Sequence, residues 1–296
     1  MLGPTASGKT AVAVALAARL GGEVISFDSR QVYRGIEISS NAPQPDESAG
    51  VVVHMIGRLD PEEDLTAARY VAMAREAAAG IAPGRPQLLT AGTGMYLKAY
   101  LDGLDLGGMG AVAGLREQLE DEARRDLPGL ARRLQQLSPG LAASTDLQNP
   151  VRVVRRMELL WAAALAEDRT GTGAPATRME AAKVGLRVSP ALLQERIQAR
   201  IERMLTAGWR EEVQALLRRD PAPSPQVLRS IGVAEMAAHL RGEISEGGMR
   251  STVLVRTRQY AKRQRTWFRA DRAVAWIDAG NREVSDIVEH ILEMLD

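Results

Sequence analysis

Gly3-Pro4-Thr5-Ala6-Ser7-Gly8-Lys9-Thr10 spells G-x-x-x-x-G-K-T, a spacing that gathers backbone amides around one phosphate. Its glycines let the chain turn tightly enough for successive N–H groups to converge, and the helix that follows presents its positive end to the same point. Lys9 adds a cation for the outer phosphate and Thr10 a hydroxyl for Mg2+. Asp28 ends the apolar run Glu23-Val24-Ile25-Ser26-Phe27. Ligands of open α/β sheets bind at the carboxyl ends of strands, so the spacing puts Asp28 beside Lys9, as a catalytic carboxylate or as an ordinary turn residue. Arg196, Arg200 and Arg203 share one helix face, either an anion site or a solvated face paired with Glu195 and Glu202. Arg258, Lys262, Arg265 and Arg269 share another, and no acidic residue lies between Arg250 and Ala270. Like charges so spaced cost an isolated helix about 1 kcal/mol in total. A phosphate backbone offsets that cost, so this face is predicted to track phosphates.

These residues must be positioned by alternating strands and helices. A helix from Thr10 to Leu20 stops at Gly21-Gly22, and the strand Glu23–Phe27 delivers Asp28. After a proline-bearing loop come a strand at Val51-Val52-Val53, a helix from Leu65 to Ala79 and a strand from Gln87 to Thr90. Gly92-Thr93-Gly94 then turns into a helix at Met95–Leu101. The alternation predicts an α/β fold, a P-loop NTPase-like parallel sheet flanked by helices.

From about 104 to 182 the pattern is helical between two glycine-rich joints, Gly107–Gly110 and Arg169–Ala176, which predicts an inserted helical domain. The core is then 1–103 with 183–296. In the insertion Arg152, Arg155 and Arg156 share one side of a helix, with Val154, Met157, Trp161 and Leu165 on the other. A strand at Lys183–Val188 resumes the core. Ser189-Pro190 then starts a helix buried along Leu193, Ile197, Ile201, Met204 and Leu205 and ended by Gly208. Helices at Glu211–Arg218 and Glu246–Arg269, a stiff Pro221–Pro225 linker, a strand at Val274–Ile277 and a helix at Val284–Leu295 complete the chain.

Composition bounds the chemistry further. The 296 residues carry 38 Lys and Arg against 37 Asp and Glu, so a polyanionic partner has to be argued from local clusters and not from net charge. No cysteine is present, which removes disulfides and thiolate chemistry, and His54, His239 and His290 have no metal-ligand spacing. No apolar run approaches a membrane span and no signal peptide is visible, so a cytoplasmic protein without membrane contact is expected. Only Met1 and Leu2 precede Gly3, where such a loop normally leaves a buried strand. Either the chain begins late or that strand is a stub.

Four motifs together resemble the tRNA dimethylallyltransferase family: GPTASGKT at Gly3–Thr10, DSRQVYRG at Asp28–Gly35, AGTGMYL at Ala91–Leu97, and TRQYAKRQ with TWFR across Thr257–Gln264 and Thr266–Arg269. The resemblance runs from Gly3 to about Asp278. It implies transfer of a dimethylallyl group from dimethylallyl diphosphate to the exocyclic N6 of the adenosine 3′ of the anticodon, with diphosphate released and ATP not consumed. It implies that Gly3, Pro4, Thr5, Ala6, Ser7, Gly8, Lys9, Thr10 and Arg200 hold the diphosphate, with Mg2+ on Thr10. Asp28 is then the general base and Thr93 lines the base channel. It places contacts to the tRNA anticodon stem-loop on Asp28, Ser29, Arg30 and Gln31, on Val151, Arg152 and Arg155, and on Arg229 and Gly232. Two stretches depart from the family pattern: Val233-Ala234 stands where relatives carry Tyr and then Lys or Arg, and Ser39-Ser40-Asn41-Ala42-Pro43 lacks a lysine. A somewhat altered grip on tRNA is therefore expected, in a monomer.

Three rivals use the same residues differently. A P-loop kinase of small molecules or nucleotides would share the cradle and Asp28 and would turn over ATP. An enzyme prenylating free AMP would share the chemistry and lack the large insertion. A non-catalytic RNA-binding module would leave the phosphate loop without a purpose.

Overall fold

A five-residue run with every side chain buried belongs inside a sheet covered on both faces, and Glu23–Phe27 is such a run. The computed structural model of the chain describes residues 1–103, 115–166 and 179–295. It divides into two compact units, Met1–Asp102 with Met179–Asp296, and Gly103–Arg178.

The first unit opens with α1 (Lys9–Leu20), β1 (Glu23–Phe27), α2 (Glu37–Ser40), β2 (Val53–His54), α3 (Ala67–Ala79), β3 (Gln87–Ala91) and α4 (Gly94–Leu101). In the second unit are α5 (Leu115–Leu137), α6 (Pro139–Ala143) and α7 (Pro150–Ala166). The first unit then continues with β4 (Val184–Arg187), α8 (Pro190–Thr206), α9 (Trp209–Leu217), α10 (Pro225–Leu228), α11 (Val233–Leu240), α12 (Glu246–Arg269), β5 (Ala275–Asp278) and α13 (Val284–Glu293).

All strand pairs among the described residues are parallel: β1 lies between β2 and β3, and β4 pairs with β5. Leu2 joins the two sets. It bridges Ala91 of β3 on one side and Gly185 of β4 on the other, donating to the Val184 carbonyl at 2.8 Å and accepting from the Leu186 amide at 2.9 Å. A single residue thus completes a place between β3 and β4, and the phosphate-loop sequence departs from it at Gly3. The α1 face Val12, Val14 and Leu16 packs with Val24, Leu186, Ile277 and Ile287 into one core. On the far side α8, α9, α11 and α12 bury Ile197, Ile201, Trp209, Met236 and Val253 in another.

Several boundaries differ from the sequence expectation, each for a local reason. The strand expected at Val51–Val53 begins at Val53, because the Val51 amide closes a turn onto the Ser48 carbonyl. The helix expected from Leu65 begins at Ala67, because the Thr66 side chain caps it by accepting from the Arg69 amide. Pro225, read as the end of a linker, is the first residue of α10, and α11 was not anticipated. Inside the second unit α7 buries Val153, Val154 and Met157 against Leu119, Leu130 and Leu134 of α5. Trp161, expected with them, is 46% exposed: Val153, Met157 and Leu160 define the packed stripe, and Trp161 falls on its margin. The side chain of Leu165 and the two glycine-rich joints lie outside the described residues.

Candidate active site

Three carboxyl-terminal strand ends converge on one edge of the sheet: Leu2 into Gly3, β1 into Asp28, and β3 into Gly92-Thr93. The loop from Gly3 to Gly8 takes backbone angles that few side chains tolerate, with φ of 149° at Gly3, 63° at Ala6 and 91° at Gly8. A Cβ at Gly3 would stand 2.9 Å from Ser7 Oγ and 3.1 Å from the Leu186 carbonyl. Gly8 caps α1 without a side-chain acceptor, so the amides of its first turn keep their donors for a ligand. Ser7 Oγ is buried without a hydrogen-bond partner among the described residues. The Thr5 and Ser7 amides are taken by Gln264 and the Pro4 carbonyl, and the free helix-start donors beside an orphaned hydroxyl fit a phosphate group.

The cations of this edge are held in place and poorly solvated. Arg200 on α8 donates from Nη1 to Thr5 Oγ1 at 2.9 Å, while Arg196, one turn earlier, binds the Ser7, Ala279 and Gly280 carbonyls and braces the loop from outside. Arg203, the third of that face, is exposed. The solvated-face alternative fails for Arg200: Glu202 pairs with Arg250, and no carboxylate among the described residues lies within ion-pair distance of Arg200 or Lys9. Burial lowers the Lys9 ammonium to about 8, with Asp28 opposing the drop and Arg200 adding to it. Burial likewise lowers Arg200 to about 10, again opposed by Asp28. Two desolvated cations that repel one another form a site waiting for an anion.

A pH dependence follows from this. Free Lys9 discharges as pH rises through about 8, and a bound anion favours its charged form. Inorganic diphosphate is therefore expected to bind more weakly above pH 8 and to take up protons on binding at pH 8.5. Calorimetry in buffers of different ionisation enthalpy reads this directly, and zero uptake would refute the assignment.

Asp28 Oδ1 accepts from the Arg30 amide at 2.8 Å, which orients the carboxylate, while Oδ2 takes none of the hydrogen bonds among the described residues. A Cβ on Gly92 would come within 2.5 Å of Asp28 Oδ2, so glycine is needed for the turn to pass the acid. Thr93 Oγ1 accepts from the Ser29 amide at 3.3 Å. Beside Asp28 opens a cavity of about 490 Å3, polar at Asp28, Arg30, Arg200 and Arg263 and apolar along Ile197, Ile201, Met204 and Val253.

Of the residues expected to hold diphosphate, act on the base or contact tRNA, Thr5, Asp28 and Arg200 line the cavity, whereas Lys9, Thr10 and Thr93, the last expected to line the base channel, do not. Ser29, Arg30, Arg229 and Gly232 line it. Gln31 is 9% exposed and serves the fold, accepting from Ser26 Oγ and donating to the Asn41 carbonyl. Val151, Arg152 and Arg155 are exposed residues of the second unit, where Arg152 stands 3.8 Å from Asp146 and Arg155 3.3 Å from Glu158. Arg258, Lys262 and Arg265 do not line the cavity. At about 100° per residue they sit roughly 160° around α12 from Arg256, Tyr260 and Arg263, which do. Val233, the departure from the family pattern, is fully buried, and the Gly232 amide donates to Glu235, which pairs with Arg256. Among the described residues no cluster of His, Cys, Asp or Glu could hold a metal, and His54 is engaged by Glu23 at 2.6 Å.

Gln264 escaped the sequence reading. It is 5% exposed on α12 and spans two parts of the site, accepting from the Thr5 amide and donating to the Gly92 carbonyl, both at 2.7 Å. Tyr260 donates to the same carbonyl at 3.0 Å, and burial pushes its phenol well above its ordinary value. Gln264→Leu strands the part-buried Thr5 amide, whereas the Gly92 carbonyl keeps its bond from Tyr260. A loss of about 1–3 kcal/mol is expected in urea unfolding, and an unchanged midpoint would deny the bridge its role. Helical spacing places Gln264 with Ala261 and Phe268, but only the folded chain shows that Thr5 and Gly92 meet it.

Comparison with known proteins supplies the context. The IPP transferase family model matches residues 31–271, and a second model, isopentenyl transferase, matches residues 1–58. A tRNA dimethylallyltransferase of Anaeromyxobacter sp. (strain K) is 40% identical over 303 residues, covering 98% of this chain and 95% of the relative. One from Symbiobacterium thermophilum is 37% identical, covering 99% and 94%. The crystal structure of the tRNA isopentenylpyrophosphate transferase from Bacillus halodurans superposes with a TM-score of 0.72 at 32% identity, covering 99% of this chain and 93% of that one.

Proposed function

The chain belongs to the IPP transferase family, and from that premise we propose that it transfers a dimethylallyl group from dimethylallyl diphosphate to N6 of the adenosine 3′ of the anticodon in tRNA, releasing diphosphate. The observation that carries the reading is the meeting of two underpaired cations, Lys9 and Arg200, with the oriented carboxylate of Asp28 at one edge of a parallel sheet. In this reading the sheet, the loop and α1 form a P-loop NTPase-like core, and α5, α6 and α7 belong to a helical insertion.

The allylic C–O bond breaks and its electron pair leaves with the diphosphate, so negative charge grows on oxygens that the loop amides, Lys9 and Arg200 surround. These donors stabilise the transition state more than the ground state. The N6 lone pair forms the new C–N bond. The amine is a poor nucleophile because that pair is delocalised into the ring, and Asp28 Oδ2 accepts its hydrogen bond and then its proton. The apolar side of the cavity, Ile197, Ile201 and Met204, suits the five-carbon tail. Thr93, anchored by the Ser29 amide, borders the path of the base, which must leave its stack to reach Asp28.

The donor set also fits Mg2+: Thr10 offers one hydroxyl at the start of α1, and such an ion takes its remaining ligands from diphosphate and water. Bound there, Mg2+ would neutralise charge on the leaving group.

Incubation with dimethylallyl diphosphate and Mg2+, supplying in parallel unmodified tRNA, AMP, or ATP alone, tests the reading. Prenylated tRNA is the expected product. Prenylation of AMP but not of tRNA, or turnover of ATP, would overturn it.

A further inference from the structure

We infer that the exposed indole of Trp267 is a stacking platform for an unpaired base next to the target adenosine, at the outer end of an arginine and aromatic stripe that leads out of the cavity. The inference rests on the RNA-prenylating function proposed above and adds a contact that function does not require.

The stripe follows from helix geometry. Arg256, Tyr260, Arg263 and Trp267 recur along α12 at steps of four, three and four, which keeps them on one face. Arg256, Tyr260 and Arg263 line the cavity that contains Asp28, so this face points into the site and Trp267 continues it by one turn. The Arg263 guanidinium lies 5.8 Å from the centre of the Tyr260 ring, giving a cation stacked on an aromatic plane. Arg263 is exposed and has no carboxylate within ion-pair distance among the described residues.

Trp267 itself is 51% exposed, whereas Trp209 is fully buried. The indole is nonetheless fixed. Its pyrrole edge, Cδ1 and Nε1, occupies the space that a Cβ on Gly94 would need, with Phe268 alongside. Gly94 is the first residue of α4, directly after Thr93. The platform therefore stands at the rim of the base path, rigid at one edge and open over the rest.

A large apolar surface kept in water beside the unpaired Arg263 needs a partner that is flat and apolar on its faces and joined to an anion. Unpaired RNA nucleotides have these properties, a flat base on a phosphate backbone, and proteins that read RNA loops stack such bases on aromatic rings and arginine planes. The reaction supplies the need. Extruding the target base removes a stacking partner from each of its neighbours, and a protein plane at the rim replaces one of them.

The test uses an anticodon stem-loop RNA and two versions in which one or the other nucleotide flanking the target adenosine is abasic. Binding is measured for the wild-type chain, Trp267→Ala and Trp267→Phe, together with affinity for inorganic diphosphate and thermal melting. Trp267→Ala is expected to weaken binding of the intact stem-loop by roughly 5- to 150-fold, the range of one lost base stack, and Trp267→Phe to retain most of the affinity. One abasic substitution should cost the wild type a similar factor and cost Trp267→Ala little more, with diphosphate affinity unchanged. Equal losses for Trp267→Ala on intact RNA and on both abasic RNAs would overturn the platform. So would wild-type binding that neither abasic substitution weakens, a result that needs no variant. In both cases prenylation of the intact RNA by the wild type would leave the parent reading standing. A wild type that neither binds nor prenylates the stem-loop would sink that reading and this inference together.

Discussion

Asp28→Ala is expected to slow a single turnover on bound tRNA by about two to four orders of magnitude while tRNA affinity changes only a few-fold. The carboxylate has one oxygen committed to the Arg30 amide and the other turned to the Gly92 passage, so its loss removes the proton acceptor and leaves the cavity walls in place. Asp28→Asn sharpens the test. The amide oxygen can still accept from the Arg30 amide and keep the turn, but it cannot take a proton. Equal rate losses in both variants point to proton acceptance; a nearly normal rate for Asp28→Asn would reduce Asp28 to an orienting residue. Since Asp28 also favours the charged forms of Lys9 and Arg200, both variants are expected to bring the pH limit of diphosphate binding lower.

Arg200→Ala is expected to cost about 10²- to 10³-fold in the chemical step, the scale of one lost donor to a developing anion. Here stability and activity should part. Burial already disfavours the Arg200 cation, and Lys9 stands close enough to feel its charge. Removing the guanidinium relieves that repulsion, so the variant should melt no lower than the parent. Thr5→Val is the companion. It keeps the charge and deletes only the hydroxyl that accepts from Arg200 Nη1, so a smaller loss is expected, and less than additive in the double variant. If Arg200→Ala left the single-turnover rate intact, the diphosphate would have to lie elsewhere.

Lys9 carries the same tension between fold and function. Its pKa in the fold, about 8, is below the unfolded value of 10.5, so the unfolded chain holds more protons between those limits and stability rises with pH across that window. Diphosphate binding falls over the same window. In the proposed function Lys9 binds the leaving diphosphate, and a cation that weakens the empty fold in this way fits a ligand site better than a packing role.

How much of this was legible beforehand depends on the range of each interaction. The glycine-rich loop into α1, the strand that delivers Asp28, the capping of α8 by Ser189 and the buried stripe Leu193, Ile197, Ile201 and Met204 are local patterns, set by periodicities of two and 3.6 residues and by glycine at positive φ, and the structure has them. Residue spacing alone left Arg200 on an arginine face with two readings, and the family resemblance singled it out. The structure adds its partner Thr5, which lies 195 positions away.

The same limit explains the face of α12. Its sequence offers two charged rows, and like-charge spacing favours Arg258, Lys262, Arg265 and Arg269 because that row is the more basic. Which row meets the cavity is fixed by the stripe Met249, Val253, Thr257, Ala261, Gln264 and Phe268 that the helix buries, and by what that stripe packs on. Residue type and spacing along the chain thus determined which groups are available: a glycine-rich G-x-x-x-x-G-K-T loop, a carboxylate at a strand end and cations on helices. Only the tertiary structure decided which of those groups face one another. Leu2 joining β3 to β4, Gln264 tying Thr5 to Gly92 and Arg256 turning toward the cavity are contacts between segments remote in sequence, and no local propensity encodes their partners.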